Sequence, residues 1–275
     1  MESVLIANRG EIAVRIIRAA RDLGMRTIAV YSELDRDAVH TSMADEAWNV
    51  GPAPAAESYL NVARILEIAR ESEAASIHPG YGFLAENAGF ARAVVNAGLI
   101  WIGPPASAIA MMGDKIESRI AAEAAGVAGV PGTLEPLTSA DQVAAFAASH
   151  GFPVAIKATA GGGGRGLKVV HDESGLVEAF ESAGREAESW FANPAVYVER
   201  YLENARPIEA QILFDKHGNG VFFGERDCSL QRRHQKLVEE SPAPNFTAAH
   251  RARLGELALA LGTAAGYESA GTVEF

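Results

Sequence analysis

Residues Phe152 to Val170 run Phe-Pro-Val-Ala-Ile-Lys157-Ala-Thr-Ala-Gly161-Gly-Gly163-Gly164-Arg-Gly166-Leu-Lys-Val-Val. Phe152 to Ile156 has the composition of a buried strand, and Leu167 to Val170 that of a second one. The glycines between them then form a hairpin tip almost without side chains. Such a tip lets backbone N–H groups approach a polyanion closely. Lys157, at the end of the first strand, adds a point charge suited to a phosphate oxygen. A flexible surface turn accounts for a glycine run by itself, but Lys157 and the Arg165 inside the run favour phosphate binding.

Around this hairpin the chain has ordinary globular composition. Its 275 residues, 48% hydrophobic and 21% charged, suffice for one large or two medium domains. A formal net charge of −11 argues against a non-specific nucleic-acid binder. An anionic substrate needs basic residues gathered locally against that field. The single cysteine, Cys228, excludes an internal disulfide and a cysteine-rich metal site and fits a reducing compartment. Its expected place is that of a small buried hydrophobe. Met1 leads straight into strand-like Val4 to Ala7, without a signal-peptide pattern. No apolar run is long enough to span a bilayer. The expectation is a soluble, cytoplasmic protein that binds neither membrane nor nucleic acid.

Strand and helix patterns alternate through the first hundred or so residues. Strands are expected at Val4–Ala7, Thr27–Tyr31, Ser76–His78 and Leu99–Ile102. Helices are expected over Glu11–Leu23, Leu60–Ala69 and Asn87–Asn96. That alternation implies a doubly wound parallel α/β sheet. Helices over Ala106–Met112 and Asp114–Ala125 follow, with Asp114 as N-cap. A loop at Val130-Pro131-Gly132 then opens residues 131–200, which read as a small α+β module inserted into a larger one. This module holds a helix from Ser139, the glycine hairpin, a helix from Ser174 and a strand over Val196–Glu199. Strands over Ile208–Phe214 and Val221–Gly224, a helix over Thr247–Leu261 and a strand opening at Gly271 complete the pattern. A strand starting so near the last residue leaves its ladder groups short of partners, so the chain is expected to be a piece of a longer protein.

Several clusters carry chemistry. Asn8-Arg9-Gly10-Glu11 joins the first strand to the first helix, but it lacks the glycines of a dinucleotide fingerprint. Lys115 falls in the first turn of its helix, where the dipole disfavours a cation, so it either reaches towards an anion or is solvated. Glu199-Arg200-Tyr201-Leu202 leaves the module as an extended segment able to read a flat adenine edge, or as an ordinary strand exit. Gln231-Arg232-Arg233-His234-Gln235-Lys236 is a dense donor run in an acidic protein. On a single strand it would put alternate side chains into a cleft fit for a carboxylate or bicarbonate; a surface basic patch is the alternative. Glu274, in an apolar strand, must be paired or hold a cation, and Mg²⁺ takes one or two carboxylates plus phosphate oxygens. His78-Pro79-Gly80-Tyr81-Gly82 follows a strand where doubly wound sheets bind ligands, although plain turn chemistry also accounts for it.

In combination these segments resemble the biotin carboxylase family of the ATP-grasp superfamily. The matching stretches are Ile-Ala-Asn-Arg-Gly-Glu-Ile-Ala from Ile6, His-Pro-Gly-Tyr-Gly-Phe-Leu from His78 and Met-Gly-Asp-Lys from Met112. The glycine hairpin, Glu-Arg-Tyr-Leu-Glu from Glu199, Glu-Arg-Asp-Cys-Ser from Glu225 and Gln-Arg-Arg-His-Gln-Lys from Gln231 continue them. The resemblance covers the whole chain in order. It implies a doubly wound N-terminal (pre-ATP-grasp) domain over 1–112. An incomplete ATP-grasp domain over 113–275 would follow, with a glycine-rich lid over 131–200. The implied activity is ATP-dependent carboxylation of biotin with bicarbonate through carboxyphosphate, as part of an acyl-CoA carboxylase. Implied nucleotide contacts are Lys115, Lys157, Gly163, Gly164, Glu199, Arg200, Tyr201, Leu202, Gln231 and His234. Lys236 would hold bicarbonate as the catalytic residue, Tyr81 would lie near biotin, and Glu274 would be one Mg²⁺ or Mn²⁺ ligand. Implied partners are a biotin carboxyl carrier, a carboxyltransferase subunit and a second copy of the chain as a homodimer.

The chain also departs from the family pattern. Pro207 stands where the family usually has a nucleotide-binding His, and Ala160 replaces one glycine of the run. The family's downstream Glu-Met-Asn-x-Arg-x-Gln-Val-Glu-His segment, with its second metal carboxylate and catalytic Arg, is not in the sequence. The fragment alone is therefore expected to be inactive. Two other readings stand beside this one: a non-catalytic ATP-binding or assembly fragment, and another ATP-grasp ligase of the carbamoyl-phosphate synthetase kind. The central expectation is that Lys115, Lys157 and Lys236 converge beneath the hairpin.

Overall fold

The computed structural model describes residues 1–159, 167–232 and 235–275. The chain divides into two compact units, Met1–Ala110 and Met111–Phe275.

The first unit contains, in order, β1 (Ser3–Ile6), α1 (Gly10–Asp22), β2 (Arg26–Ser32), α2 (Val39–Met43), β3 (Glu46–Gly51), α3 (Val62–Glu71), β4 (Ser76–His78), α4 (Ala88–Asn96) and β5 (Ile100–Trp101). Its strands form one parallel sheet in the order β3-β2-β1-β4-β5. Alternation in β1 sends Leu5 to a core with α3 and α4, while Val4 and Ile6 pack against α1 on the other face. Burial on both faces explains why β1 reads as a continuous apolar run. The doubly wound expectation holds. α2 and β3 had not been expected: of the six residues of β3 only Val50 is buried, so this edge strand carries little apolar signal.

The order in which strands are added to the sheet reverses between β1 and β4, so the loops leaving these strands flank the crevice where open parallel sheets bind ligands. Asn8 stitches them together. Its Nδ2 donates to the carbonyls of Pro79 and Tyr81, each at 2.7 Å, and its Oδ1 accepts from the Arg9 N–H at 2.9 Å. Gly80 has a φ of +67°, and a Cβ there would lie 2.8 Å from Asn8 Nδ2, so only glycine fits. Arg9 extends to Asp35, with Nε 2.7 Å from Oδ2. Tyr59 donates to the same oxygen at 2.6 Å, and Ser32 Oγ lies 3.2 Å from it.

The second unit begins within α5 (Ala106–Gly113), continues through α6 (Lys115–Ala124) and α7 (Ala140–His150), and then forms two antiparallel sheets. The small sheet has the order β7 (Lys168–Val170), β6 (Val154–Ala158), β8 (Val196–Arg200), with α7 and α8 (Leu176–Phe191) packed against it. Val154 pairs with Val170 and Ile156 with Lys168, which is the expected hairpin; its tip, residues 160–166, lies outside the described residues.

The larger sheet has the order β11 (Gln235–Glu240), β10 (Gly220–Arg232), β9 (Ile208–Phe214), β12 (Ser269–Glu274). Ile208, Ala210, Ile212 and Phe214 face α9 (Ala248–Ala264) in one core, so Glu209 and Gln211 lie on the opposite face. A register shift between Phe222 and Gly224 inserts Phe223 as an extra residue. That bulge places Arg226 opposite Glu209 and turns Glu225 inward, where Arg251 meets it through Nε at 2.7 Å and Nη2 at 2.5 Å. β10 is far longer than the four residues expected. Its second half is mostly charged and polar, and such side chains carry no apolar alternation.

Arg9 holds the Asp35 carboxyl well below the usual carboxylate range, aided by Tyr59 and Ser32 and opposed by burial. A depressed folded-state pKa stabilises the fold above the ordinary carboxylate value and ceases to do so as pH falls through the folded value. Asp35→Asn should therefore cost about 2 kcal/mol at pH 7, discounted for the exposed Arg9 partner. In urea unfolding the gap to wild type should narrow below about pH 4. A gap independent of pH would refute this account of Asp35.

Candidate nucleotide and anion site

In the second unit, β6 delivers Lys157 and the neighbouring β8 delivers Glu199, and their side chains form an ion pair. Asp114 accepts from the N–H groups of Ile116 at 2.8 Å and Glu117 at 3.0 Å, which makes it the expected N-cap of α6. The cap fixes Lys115 in the first turn. Its Nζ lies 3.4 Å from the Ala158 carbonyl, and its own N–H donates to Thr159 at 3.2 Å. Burial pushes the Lys115 pKa down, the nearby Lys157 charge adds to that, and Glu199 and Asp114 oppose it.

A third cation joins them. Arg119, one helical turn beyond Lys115, places Nη1 3.2 Å from Glu199 Oε2. Tyr197 donates to the same oxygen at 3.2 Å. Lys157 and Arg119 therefore pair with one carboxylate, Glu199, at the root of the glycine hairpin, and the Lys115 charge is near enough to feel it. In an acidic chain this is a local excess of positive charge of the kind a polyphosphate requires. Arg119 was not anticipated, although its i, i+4 spacing from Lys115 was the signal that could have found it.

Lys236 does not join this group. It bridges Glu209 and Glu274, which lie opposite one another on β9 and β12. Among the described residues no hydrogen bond or ion pair links this cluster to Glu199, whereas Lys115 and Lys157 are near enough for their charges to interact. Burial works against the Lys236 charge, but the two carboxylates outweigh it and raise the pKa above the ordinary lysine value. Burial likewise pushes Glu209 up, and hydrogen bonds from Lys236 and Arg226 bring it below the ordinary value. Arg226 also reaches Gln211 Oε1 at 3.0 Å and Glu239 at 3.2 Å. Cys228, Glu209 and Glu239 offer ligand atoms within 4.8 Å of one another. Burial pushes the Cys228 thiol up to about 11, and a protonated thiol is a poor partner for a hard cation. Glu274, whose side chain is 68% exposed, is the better carboxylate for one.

The donor run from Gln231 is not a single strand. Gln231 pairs with Lys236 and Arg232 with Gln235 across two antiparallel strands, because the hairpin between β10 and β11 falls within it. Arg233 and His234 lie outside the described residues, as do Gly163 and Gly164. Gln231 Nε2 donates to the Cys228 carbonyl at 2.8 Å. The N–H groups of Arg200 and Tyr201 are engaged by the carbonyls of Pro131 at 2.8 Å and Pro153 at 3.0 Å. The Arg200 guanidinium bonds to His150 at the end of α7, and Leu202 is exposed.

In the first unit, Tyr81 is exposed at the crevice between β1 and β4 and donates to Glu11. Burial pushes His78 down to about 4, and its Nδ1 accepts from the Gly80 N–H at 3.0 Å, which suits a neutral ring. No described helix is long and apolar enough to cross a membrane.

Residues 1–109 match the family described as biotin carboxylase, N-terminal domain, and residues 114–275 match that described as carbamoyl-phosphate synthase L chain, ATP binding domain. The chain is 54% identical to the biotin-dependent acyl-coenzyme A carboxylase alpha3 subunit of Mycobacterium leprae over 99% of its own length and 46% of that protein's. The crystal structure of a biotin carboxylase–β,γ-ATP complex from Campylobacter jejuni superposes with a TM-score of 0.97 at 45% identity, covering all of this chain and 61% of that one. The biotin carboxylase domain dimer of Hydrogenobacter thermophilus 2-oxoglutarate carboxylase, with MgADP, ADP and bicarbonate, gives a TM-score of 0.95 at 46% identity, covering all of this chain and 60% of that one. The chain thus spans between about half and three fifths of these relatives.

Cys228, 1% exposed, should react with a disulfide reagent at pH 8 on the order of a hundredfold more slowly in the folded chain than in urea. Equal rates in the two states would contradict the buried, high-pKa thiol.

Proposed function

The chain belongs to the biotin carboxylase family, carrying its N-terminal and ATP-binding domains, and on that premise we propose that its second unit binds Mg-ATP for the carboxylation of biotin. Bicarbonate would be phosphorylated to carboxyphosphate, and the CO₂ released from it taken up by a ring nitrogen of biotin on a carrier protein or domain. The observation that carries the reading is the Lys157–Glu199 ion pair on the strand that enters the glycine run, with Lys115 held at the end of the same strand by Ala158 and Thr159. Phosphoryl transfer depends chiefly on positioning and charge neutralisation, and these are what the cluster offers. Lys115 is already stripped of much of its water, so pairing with a phosphate oxygen costs it little further desolvation.

The remaining roles are assigned by family resemblance. Gly163 and Gly164 cover the phosphates from a lid over 131–200. Arg200, Tyr201, Leu202, Gln231 and His234 hold the nucleoside, and Glu199 contributes there through its main chain. Because the Arg200 and Tyr201 N–H groups already have partners, adenine would be read by carbonyls and by Leu202. Lys236 holds bicarbonate and Tyr81 lies towards biotin. Glu274 and its cross-strand neighbour Glu209 are a donor set that fits Mg²⁺ or Mn²⁺, with Glu274 as the ligand. When bound, the ion supplies charge neutralisation at phosphate oxygens. Handing Glu274 to it frees part of the Lys236 ammonium for an anion.

The acceptor downstream is an acyl-CoA in this reading, reached through a carboxyltransferase subunit, with the chain acting as a homodimer in the cytoplasm. The M. leprae relative is named for acyl-CoA and the H. thermophilus one for 2-oxoglutarate, so the acceptor is the finer part of the proposal. The match of residues 1–109 favours this reading over a carbamoyl-phosphate synthetase-like ligase.

Mg-ATP should raise the melting temperature, by about 2.7 kcal/mol of stabilisation at a hundredfold excess over Kd. Lys157→Met should abolish most of that gain. No shift for the wild-type chain at millimolar Mg-ATP would sink the reading and leave a purely structural piece.

A further inference from the structure

The Arg119 guanidinium reaches beyond Glu199. Its Nη2 donates to the carbonyl of Val130, and its Cζ sits 5.9 Å above the ring of Tyr197. Val130 immediately precedes the segment that enters residues 131–200, and Glu199 lies in the strand that leaves it. Main-chain bonds tie the same crossing: Arg200 N–H donates to Pro131 at 2.8 Å, and Gly132 bridges to Glu199. A Cβ on Gly132 would fall 2.6 Å from Arg119 Nη2, so the backbone is shaped around this side chain. The Arg119 and Glu199 side chains are only 18% and 14% exposed, and the pair is little screened. Arg119 Nε is buried without a partner, a cost that a surface arginine would avoid.

Among the described residues Glu199 has two ion-pair partners, and of these Lys157 stands at the edge of the glycine run. Lys157 cannot leave a half-buried carboxylate for a phosphate without cost unless another cation stays behind. We infer that Arg119 is a positioning residue: it clamps the two chain crossings at the base of residues 131–200 and stays as the counter-cation of Glu199 when Lys157 turns to nucleotide phosphate. The second half of this inference rests on the nucleotide reading of the site. The first half does not.

Two readouts on the full 275-residue chain separate the halves. Without nucleotide, amide hydrogen exchange at Gly132 and Arg200 should quicken on the order of tenfold in both Arg119→Met and Arg119→Lys, since a lysine cannot hold Val130 and Glu199 together. Unchanged exchange in either variant overturns the clamp. With nucleotide, Arg119→Met should weaken Mg-ADP binding on the order of tenfold and leave adenosine binding unchanged. Adding Glu199→Gln should restore Mg-ADP binding to within about twofold of wild type, and Arg119→Lys, which keeps the charge, should retain it. Wild-type affinity in Arg119→Met, or no restoration by Glu199→Gln, overturns the counter-cation role. A wild-type chain that binds no Mg-ADP overturns that role together with the nucleotide reading, while exchange at the crossing still decides the clamp.

Discussion

A single half-buried carboxylate organises the centre of the second unit. Glu199 accepts from Arg119 and Tyr197 on one oxygen and from Lys157 on the other, and its charge partly offsets the desolvation that Lys115 suffers beside it. Without Glu199, three cations would crowd one another at the root of a glycine hairpin. Without the cations, the carboxylate would be an uncompensated charge in a largely dry setting. Each side makes the other tolerable, and the balance remains positive. A chain whose overall charge is strongly negative thereby keeps a local patch of positive charge.

The larger sheet solves a different problem with register. Its inner face is apolar and packs on α9, and its outer face carries Glu209, Arg226, Lys236 and Glu274. One inserted residue, Phe223, decides which of Glu225 and Arg226 faces Glu209. With the bulge, Glu225 turns inward and is held by Arg251 near the start of α9, and Arg226 joins the outer cluster. Position on a pleated strand, more than proximity in sequence, assigns a structural role to one member of the Glu-Arg pair and a place in the charged cluster to the other.

Much of this was legible in the sequence where a single period ran undisturbed. Ile208–Phe214 and Ser76–His78 have the bounds their apolar patterns predicted, and α1 and α4 differ by a residue or two at their ends. The parallel sheet followed from alternating elements, and Asp114 was recognisable as a cap. Legibility failed where charge replaced apolar burial. β3 is an edge strand with one buried residue, and the second half of β10 is mostly charged and polar. The donor run at Gln231 looked like one strand because its hairpin falls between residues of the same chemical kind. In the candidate site, Lys115 and Lys157 could be singled out because each follows a recognisable signal, a cap or a strand end. Arg119 has the composition of a solvated helix face, and only its spacing from Lys115 marks it.

The central claim is that Lys157 is held in reserve by Glu199 for a phosphate. A crystal structure of this chain with a non-hydrolysable ATP analogue and Mg²⁺ tests it most directly. The account predicts Lys157 Nζ on a phosphate oxygen, Lys115 beside it, and Glu199 still bonded to Arg119. A triphosphate bound elsewhere, with Lys157 remaining on Glu199, would contradict it.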